Sequence, residues 1–591
     1  MNIAITGEGI ISAIGHDKAT VLESLREGRS GIGEMRYLPS AHHELPVGEV
    51  KWSDEELQAR LSLDASVKVS RTAMMGMWAV RQALEDSALL GVLPPLTSHS
   101  PLKIVLISGT TVAGMDLSER YFAEMLNSGD HLEYLLDHSC GDNTRQIAEH
   151  FGIFTDYTTI STACSSAANA LILGANLLKA GEADIVVAGG TEGLSLFHLN
   201  GFNSLMILDK ERCRPFDDQR AGLNLGEGAA YVVMESEEHA RQRQVPIHAF
   251  LAGYGNACDA FHQTASSDNG EGAYLAMCEA IGMAGLKPAD IDYVNAHGTG
   301  TPNNDQSESV ALQRVFGSVL PPVSSTKGFT GHTTSASGSI ETVICLLAMQ
   351  HGFIPANLGW QHPMASGITP SMGADGCTLH HVLCNSFGFG GNDSSLLLSK
   401  KVEGCPRPSE NNISIHELAR VEITSVDQLS EIREFVKPME ARRMGKLMKA
   451  SLLSSLKALK LAGVDCPDAI ITGTALGCWE NSEALLMQLK EEGEVMVSPT
   501  NFMQSTHNTI SSNIAIRLGC HGYNVTYTQG SDSLEWALRD ARLLLASGRY
   551  KTVLVGCHDE TTPLYCSLME RLGVTDLPVI HSIAIVLSVN S

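Results

Sequence analysis

Paired cysteines are missing from this chain: fourteen are scattered through 591 residues, and no two stand as C-x-x-C. That leaves neither a zinc ribbon nor a compact disulfide scaffold, and no bound metal is expected; the reduced thiols of a cytoplasmic protein are. No stretch approaches about eighteen uncharged apolar residues, so no membrane span is predicted. The opening "MNIAITGEGI" reads as a strand and turn, not as a basic segment before a long apolar one, so no secretory signal is expected. Cations are also scarce, 41 Lys and Arg against 66 Asp and Glu, for a net charge of −25. Broad binding to nucleic acid or to an anionic membrane needs the basic footprint that this balance lacks. Aromatic residues are only 5%, whereas glycine, at 55 residues, is plentiful and apolar residues make up 43%. This points to an α/β enzyme with many tight strand-to-helix turns, long enough for two to four domains or one large composite.

Up to about residue 400, short β-rich runs alternate with helical segments. "NIAITG", "KIVLISGT", "ADIVVAGGTE", "AAYVVMES", "DYVNAHGTG" and "HHVLCNSFG" are apolar on both faces, as strands of a covered sheet are. "SRTAMMGMWAVRQALEDSALL" and "AANALILGANLLKAGEA" carry apolar residues at helical spacing. "VEGCPRPSENN" predicts a linker over about 401–412. Beyond it the chain repeats its own first part: "QIAEHFG" at 146 falls on "NIAIRLG" at 513, an offset of 367. "SSAANALILGANLLKAGEADIVVAGGTE" falls on "DSLEWALRDARLLLASGRYKTVLVGCHDE", with an insertion expected near the last glycine-rich strand. By that offset Ser531 takes the place of Cys164. The predicted units are therefore 1–250, 251–402 and 413–591.

In "DYTTISTACSSAANAL" a strand meets a helix through a small-residue turn, placing Cys164 at the first helical turn. Unpaired N–H groups and the helix dipole there are expected to lower the thiol pKa and sharpen a nucleophile. Taken alone, the residue could equally be a buried structural cysteine. "NAHGTGTPNND" sets His297 after an apolar strand, and "SSTKGFTGHTTSASGSIE" sets Lys327 and His332 before another small-residue helix. Strand ends and glycine turns are where layered α/β proteins assemble their sites. "NSFGFGGNDSS" adds a glycine-rich turn able to bring N–H groups close to a reacting carbonyl.

With "CRPFDDQRAGLNLGEGAA" at 213–230, this constellation resembles the β-ketoacyl synthases over essentially all of residues 1–400. The resemblance implies a thiolase-like layered αβαβα fold of two pseudo-repeated halves, with a third, half-like α/β domain at the C-terminus. It implies that Cys164 takes an acyl chain from an acyl carrier protein, with the N–H groups of Cys164 and Phe389 as its oxyanion hole. His297 and His332 would stabilise the enolate formed when a malonyl-type extender loses carbon dioxide. Lys327 would pair with Glu341 and Glu308 to hold the cluster, with Asp305 in support. Thr299 and Thr301 would bind the phosphopantetheine arm of the carrier, and Phe389 would gate the acyl pocket. No cofactor belonging to the chain itself is implied. Lys68, Arg71, Lys210 and Arg212 are candidates for docking the acidic carrier, and family members dimerise through the strand at about 155–162. A homodimer is thus expected, with a heterodimer as the alternative.

Two motifs depart from the family pattern. The usual "GGTN" is "GGND", with Asn392 and Asp393, and "GHLLGAAG" is "GHTTSASG", with hydroxyls beside His332; both favour a specialised pathway over housekeeping fatty-acid synthesis. Competing readings are weaker on the residues. "TGEGIIS" begins like a dinucleotide fingerprint, but Ser12 stands where its third glycine belongs. A thiolase-type acyltransferase would carry a second cysteine in the loop 385–395, which has none, and a synthase using coenzyme A starters would carry Asn in place of His332. A chain-length-factor-like partner or scaffold, without a nucleophile, describes residues 413–591 better than residues 1–400. That segment has Ser531, with Gln529 nearby, and no counterpart of "HGTGT" or "KGFTGH". It is expected to shape the acyl tunnel or dock a partner, with structural padding as the alternative.

Overall fold

The computed structural model describes residues 1–64, 68–91, 102–402, 413–495 and 497–589; the predicted linker lies almost wholly outside them. Its strands are β1 (Ile3–Ser12), β2 (Ile104–Gly109), β3 (Asp156–Ile160), β4 (Ile185–Glu192), β5 (Gly228–Ser236) and β6 (Ala249–Cys258). They continue as β7 (Tyr293–Asn295), β8 (Val323–Ser324), a ribbon of β9 (Phe353–Ile354) and β10 (Ala374–Asp375), β11 (His381–Gly388) and β12 (Asn392–Ser399). The C-terminal segment adds β13 (Ile415–Ile423), β14 (Ala469–Gly473), β15 (Tyr523–Tyr527), β16 (Thr552–Glu560) and β17 (Ile580–Val589).

Fifteen of these strands join in the order β13-β17-β16-β14-β15-β3-β2-β4-β5-β1-β6-β12-β11-β7-β8. Divided by chain segment, this is one arrangement used three times. Each unit places its own third, second, fourth, fifth and first strands side by side: β3-β2-β4-β5-β1, β8-β7-β11-β12-β6 and β15-β14-β16-β17-β13. Units one and two join antiparallel through their first strands, β1 and β6. Units one and three join antiparallel through their third, β3 and β15. The division predicted at 250/251 falls just inside β6.

Helices Ser166–Ala180 and Ser337–His351 each touch strands of both the first and second units, and so form a middle layer. Being apolar nearly all round, they can lie nowhere else. Arg71–Asp86 covers β1 and β5 from outside, and Glu271–Met283 covers β6 and β12, giving the αβαβα layering.

From β3 to the start of β4 the third unit copies the first at a constant offset. Asp156 and Tyr523 open β3 and β15, 367 positions apart, and Ile185 and Thr552 open β4 and β16 at the same spacing. β16 then runs one residue longer than β4, at the strand where the insertion was expected. The junction is two-fold symmetric about Ile160 and Tyr527, which pair and occupy equivalent positions. Ser161 N–H donates to the Thr526 carbonyl at 2.9 Å, and Thr528 N–H to the Thr159 carbonyl at 3.0 Å, each bond the image of the other. The third unit thus takes the edge of β3 on which a homodimer was expected, and a second copy cannot pair there. Departure from the family pattern at Asn392 has its reason at this junction. Its Oδ1 accepts from Ser165 Oγ and Asn169 Nδ2, both at 2.9 Å, while its Nδ2 donates to the Asn524 carbonyl. The amide ties the helix after Cys164 to the third unit's strand.

Candidate active site

Cys164 lies in a single 3-10 turn, Ala163–Ser165, between β3 and helix Ser166–Ala180. Ala163 holds φ at +50°, in the left-handed region that non-glycine residues seldom enter. Ser166 Oγ steadies the turn, accepting from Thr162 N–H and donating to the Ala163 carbonyl. Gly388 closes over it: a Cβ there would lie 2.9 Å from the Thr162 carbonyl oxygen. The N–H groups of Phe389 and of Cys164 itself face the sulfur and favour its charged form.

The second unit supplies the imidazoles. His297 leaves the end of β7 in a loop held by Glu308, which accepts from the N–H groups of His297 and Gly298 at 2.9 and 2.8 Å. Glu308 therefore braces the backbone and does not pair with Lys327 as expected. Asp305 likewise accepts from Phe216 and Gly300 N–H. Lys327 Nζ lies 2.6 Å from Glu341 Oε1 and 3.3 Å from His297 Nδ1. A lysine ammonium only donates, so His297 carries its proton on Nε2. His332 Nε2 is 3.1 Å from Cys164 Sγ, and its Nδ1 is 3.0 Å from Ser337 Oγ. One ligand atom from each of Cys164, His297 and His332 lies within 4.8 Å of the others. This set could hold a metal ion by spacing alone, but the buried ammonium of Lys327 beside it opposes a further cation.

Burial decides the charge states. It pushes the Cys164 thiol up to about 12, against the pull of Lys327 and the two N–H groups, so the resting group is a neutral thiol. The expected lowering by the helix start is outweighed, because the sulfur is shut off from water. Burial also drops His297 and His332 well below the ordinary imidazole range, with the Lys327 charge adding to the effect. Both rings are neutral at pH 7. Burial lifts Glu341 to about 7 despite Lys327.

Thr299 and Thr301 stand together at the loop after His297, their hydroxyls 2.9 Å apart. Phe389 stacks on Phe202, and its carbonyl accepts from Asn508 Nδ2 of the third unit. Lys68, Lys210 and Arg212 are exposed. Arg71 is not available for docking: only 6% exposed, it forks onto Glu227 and reaches Asp54 at 2.9 Å. Ser531 is exposed and, among the described residues, its hydroxyl bonds only Asp532, while Gln529 is spent on Thr159 and the Gly141 carbonyl. Residues that sequence reasoning passed over include Ser337 and Glu192. The Glu192 carboxylate accepts from Thr110, Thr111, Val112, Thr334 and Ser335, pinning the turn after His332 to the first unit. The substituted hydroxyls of "GHTTSASG" are the signal that could have found both.

Residues 1–240 match the β-ketoacyl synthase N-terminal domain, 248–361 the C-terminal domain, and 417–591 an N-terminal domain of the same family again. Nodulation protein E of Rhizobium meliloti (strain 1021) is 31% identical over 406 residues, spanning 67% of this chain and 98% of its own length. The 3-oxoacyl-[acyl-carrier-protein] synthase 2 of Coxiella burnetii is 30% identical over 414 residues, again 67% of this chain and 98% of the relative. The solved keto synthase–chain length factor of PfaC superposes on 100% of this chain and 78% of its own. Its TM-score is 0.78 at 16% identity, a likeness of fold. Matched on both halves that carry the cysteine and the histidines, the chain belongs to the β-ketoacyl synthase family.

Proposed function

We propose that Cys164 is the nucleophile of the decarboxylative condensation that makes the chain a β-ketoacyl synthase, an acyltransferase of fatty-acid or polyketide synthesis. Sγ attacks the carbonyl of an acyl thioester on an acyl carrier protein, and the oxyanion sits between the N–H groups of Cys164 and Phe389. His332 takes the thiol proton at Nε2 and returns it to the departing phosphopantetheine sulfur. Ser337 can both donate and accept, so it supports either tautomer of His332 through this exchange. A malonyl-type thioester then loses its carboxylate as carbon dioxide, and its enolate oxygen receives the Nε2–H groups of His297 and His332. The enolate carbon bonds the acyl carbonyl, Cys164 Sγ leaves, and a β-ketoacyl thioester results.

The observation that carries this reading is the gathering of Sγ and two neutral imidazoles within 4.8 Å. The thirteen cysteines of the described residues are all free, in keeping with a cytoplasmic enzyme, and no described helix is long and apolar enough to cross a membrane. The third unit serves as a built-in, non-catalytic partner in place of a second subunit; the symmetric β3–β15 junction and the exposed, unactivated Ser531 support this. The test is intact-mass detection of acyl groups on the purified chain after exposure to a panel of acyl-carrier thioesters. Wild type should gain one acyl group and Cys164→Ala none. Acylation that survives in Cys164→Ala would remove Cys164 from the mechanism.

A further inference from the structure

Where the first and third units meet, behind the active site, lies a cavity of about 40 Å³ lined by His138, His198 and His507, by Phe197 and Phe502, and by four hydroxyl-bearing side chains. It adjoins the chemistry. His507 Nδ1 is 3.0 Å from Ser161 Oγ, three residues before Cys164. Phe502 packs on Phe202, which stacks on Phe389, whose N–H faces the thiol. His198 is near enough to His332 to disfavour its protonation.

Three imidazoles are poor lining for a saturated acyl tail. His138 Nδ1 is 2.9 Å from Ser118 Oγ, and the Ser118 hydroxyl donates to the Tyr134 carbonyl. Ser118 must therefore accept from His138 Nδ1–H, which leaves His138 Nε2 as a bare acceptor. Among the described residues, neither that nitrogen, nor His507 Nε2, nor either nitrogen of His198 has a hydrogen-bond partner. Burial holds all three rings neutral, His138 and His507 near pH 4, so they offer lone pairs and N–H groups and no charge. A hydrocarbon tail would seal these groups away unpaired, whereas a hydroxyl can donate to His138 Nε2 and accept from a neighbouring ring.

Resting on the synthase reading above, we propose that this cavity is a polar acyl subsite that selects a short acyl group bearing a hydroxyl near its far end over the unsubstituted chain. The test uses the full chain and butyryl, hexanoyl and octanoyl carrier thioesters, each with and without a terminal hydroxyl, with the rate of Cys164 acylation read by intact mass. Wild type should favour the hydroxylated member of the best-accepted pair by about tenfold. His138→Phe should reduce that ratio toward one while still accepting the plain chain, and His138→Gln, which keeps an acceptor, should preserve part of it. Equal rates for wild type, or a preference for plain chains, overturn the proposal and leave the synthase reading standing. A folded His138→Phe with its ratio unchanged overturns it too. If no thioester acylates Cys164, the synthase reading falls and the subsite with it. The wild-type ratio decides the matter even should a variant fail to fold.

Discussion

Phe502→Ala asks most directly whether the third unit sets what the active site can hold. Phe502 is 2% exposed, and its ring lies against Phe197, His198 and Phe202 of the first unit. Gly201 makes room for it: a Cβ there would come within 2.1 Å of the ring. Removing a buried Phe side chain costs about 3–5 kcal/mol, and at about 24 cal/mol per Å³ a cavity share of about 2 kcal/mol corresponds to roughly 80 Å³ of new space. Added to the existing cavity of about 40 Å³, that is room for several further methylenes. The variant should therefore melt several degrees lower, and its best-accepted acyl chain should lengthen, read by competing a ladder of saturated carrier thioesters for Cys164. Gly201→Leu attacks the same contact from the other side and should narrow the range or loosen the junction. A Phe502→Ala protein that is folded and less stable, yet keeps the wild-type chain-length profile, would refute the reasoning: the cavity would be a packing defect and the third unit no wall of the acyl site.

Charge reversal at Lys68, Lys210 and Arg212 should raise the Michaelis constant for the carrier without lowering the melting temperature. Arg71→Glu should instead destabilise by about 3–5 kcal/mol, since it strands Glu227 beside a new like charge; a stable Arg71→Glu protein with weakened carrier binding would return that residue to the docking surface. The full chain should run as a monomer by light scattering. Deletion from residue 404 should bare the edge of β3 and drive dimerisation or aggregation, so an unchanged monomer with unchanged products would show the third unit to be dispensable. His558, buried in β16 and bonded to Ser582, is held down near 3 by burial. Between pH 6.5 and 5 the unfolded chain takes up a proton that the folded chain refuses, so this site withdraws stability as pH falls, about 2 kcal/mol by pH 5. His558→Gln should lose correspondingly less stability than wild type on acidification from pH 7 to 5 in paired denaturant titrations; equal losses would mean the ring is protonated in the folded chain.

The parts of this molecule that were legible in the sequence are those whose signal is local. A strand, a small-residue turn and an apolar helix are contiguous at Cys164, and the glycine turns around His297 and His332 are contiguous as well. The offset of 367 is a comparison of one segment with another. What could not be read depends on which distant segments meet. Arg71 looks like a surface cation because its partners, Asp54 and Glu227, come from a separate helix and from the loop before β5. Glu308 looks like a partner for Lys327 until the loop's N–H groups claim it. The direction of the thiol pKa was misjudged because a helix start can be seen in sequence, whereas exclusion of water cannot. The three histidines of the cavity stand on three separate segments, one of them in another unit, and no spacing rule links them.

Comparison of the two equivalent turns explains why a copy without the cysteine should keep its shape. Ala163 adopts φ +50° before Cys164; at the matching position of the third unit Gly530 adopts φ +56° before Ser531. Glycine occupies that region without the steric cost alanine bears, so the copy retains the bend in a relaxed form. Its neighbour is exposed because the third unit has no second half to close over it and supply imidazoles. The bend nevertheless remains necessary. Thr528, at the start of the turn, donates to Thr159, and Gln529 accepts from the Thr159 hydroxyl, so in the third unit the same bend fastens the unit to β3. The bonds that position Cys164 and the bonds that hold the third unit in place thus run through the same strand, and loosening the junction should misplace Cys164 as well as open the cavity.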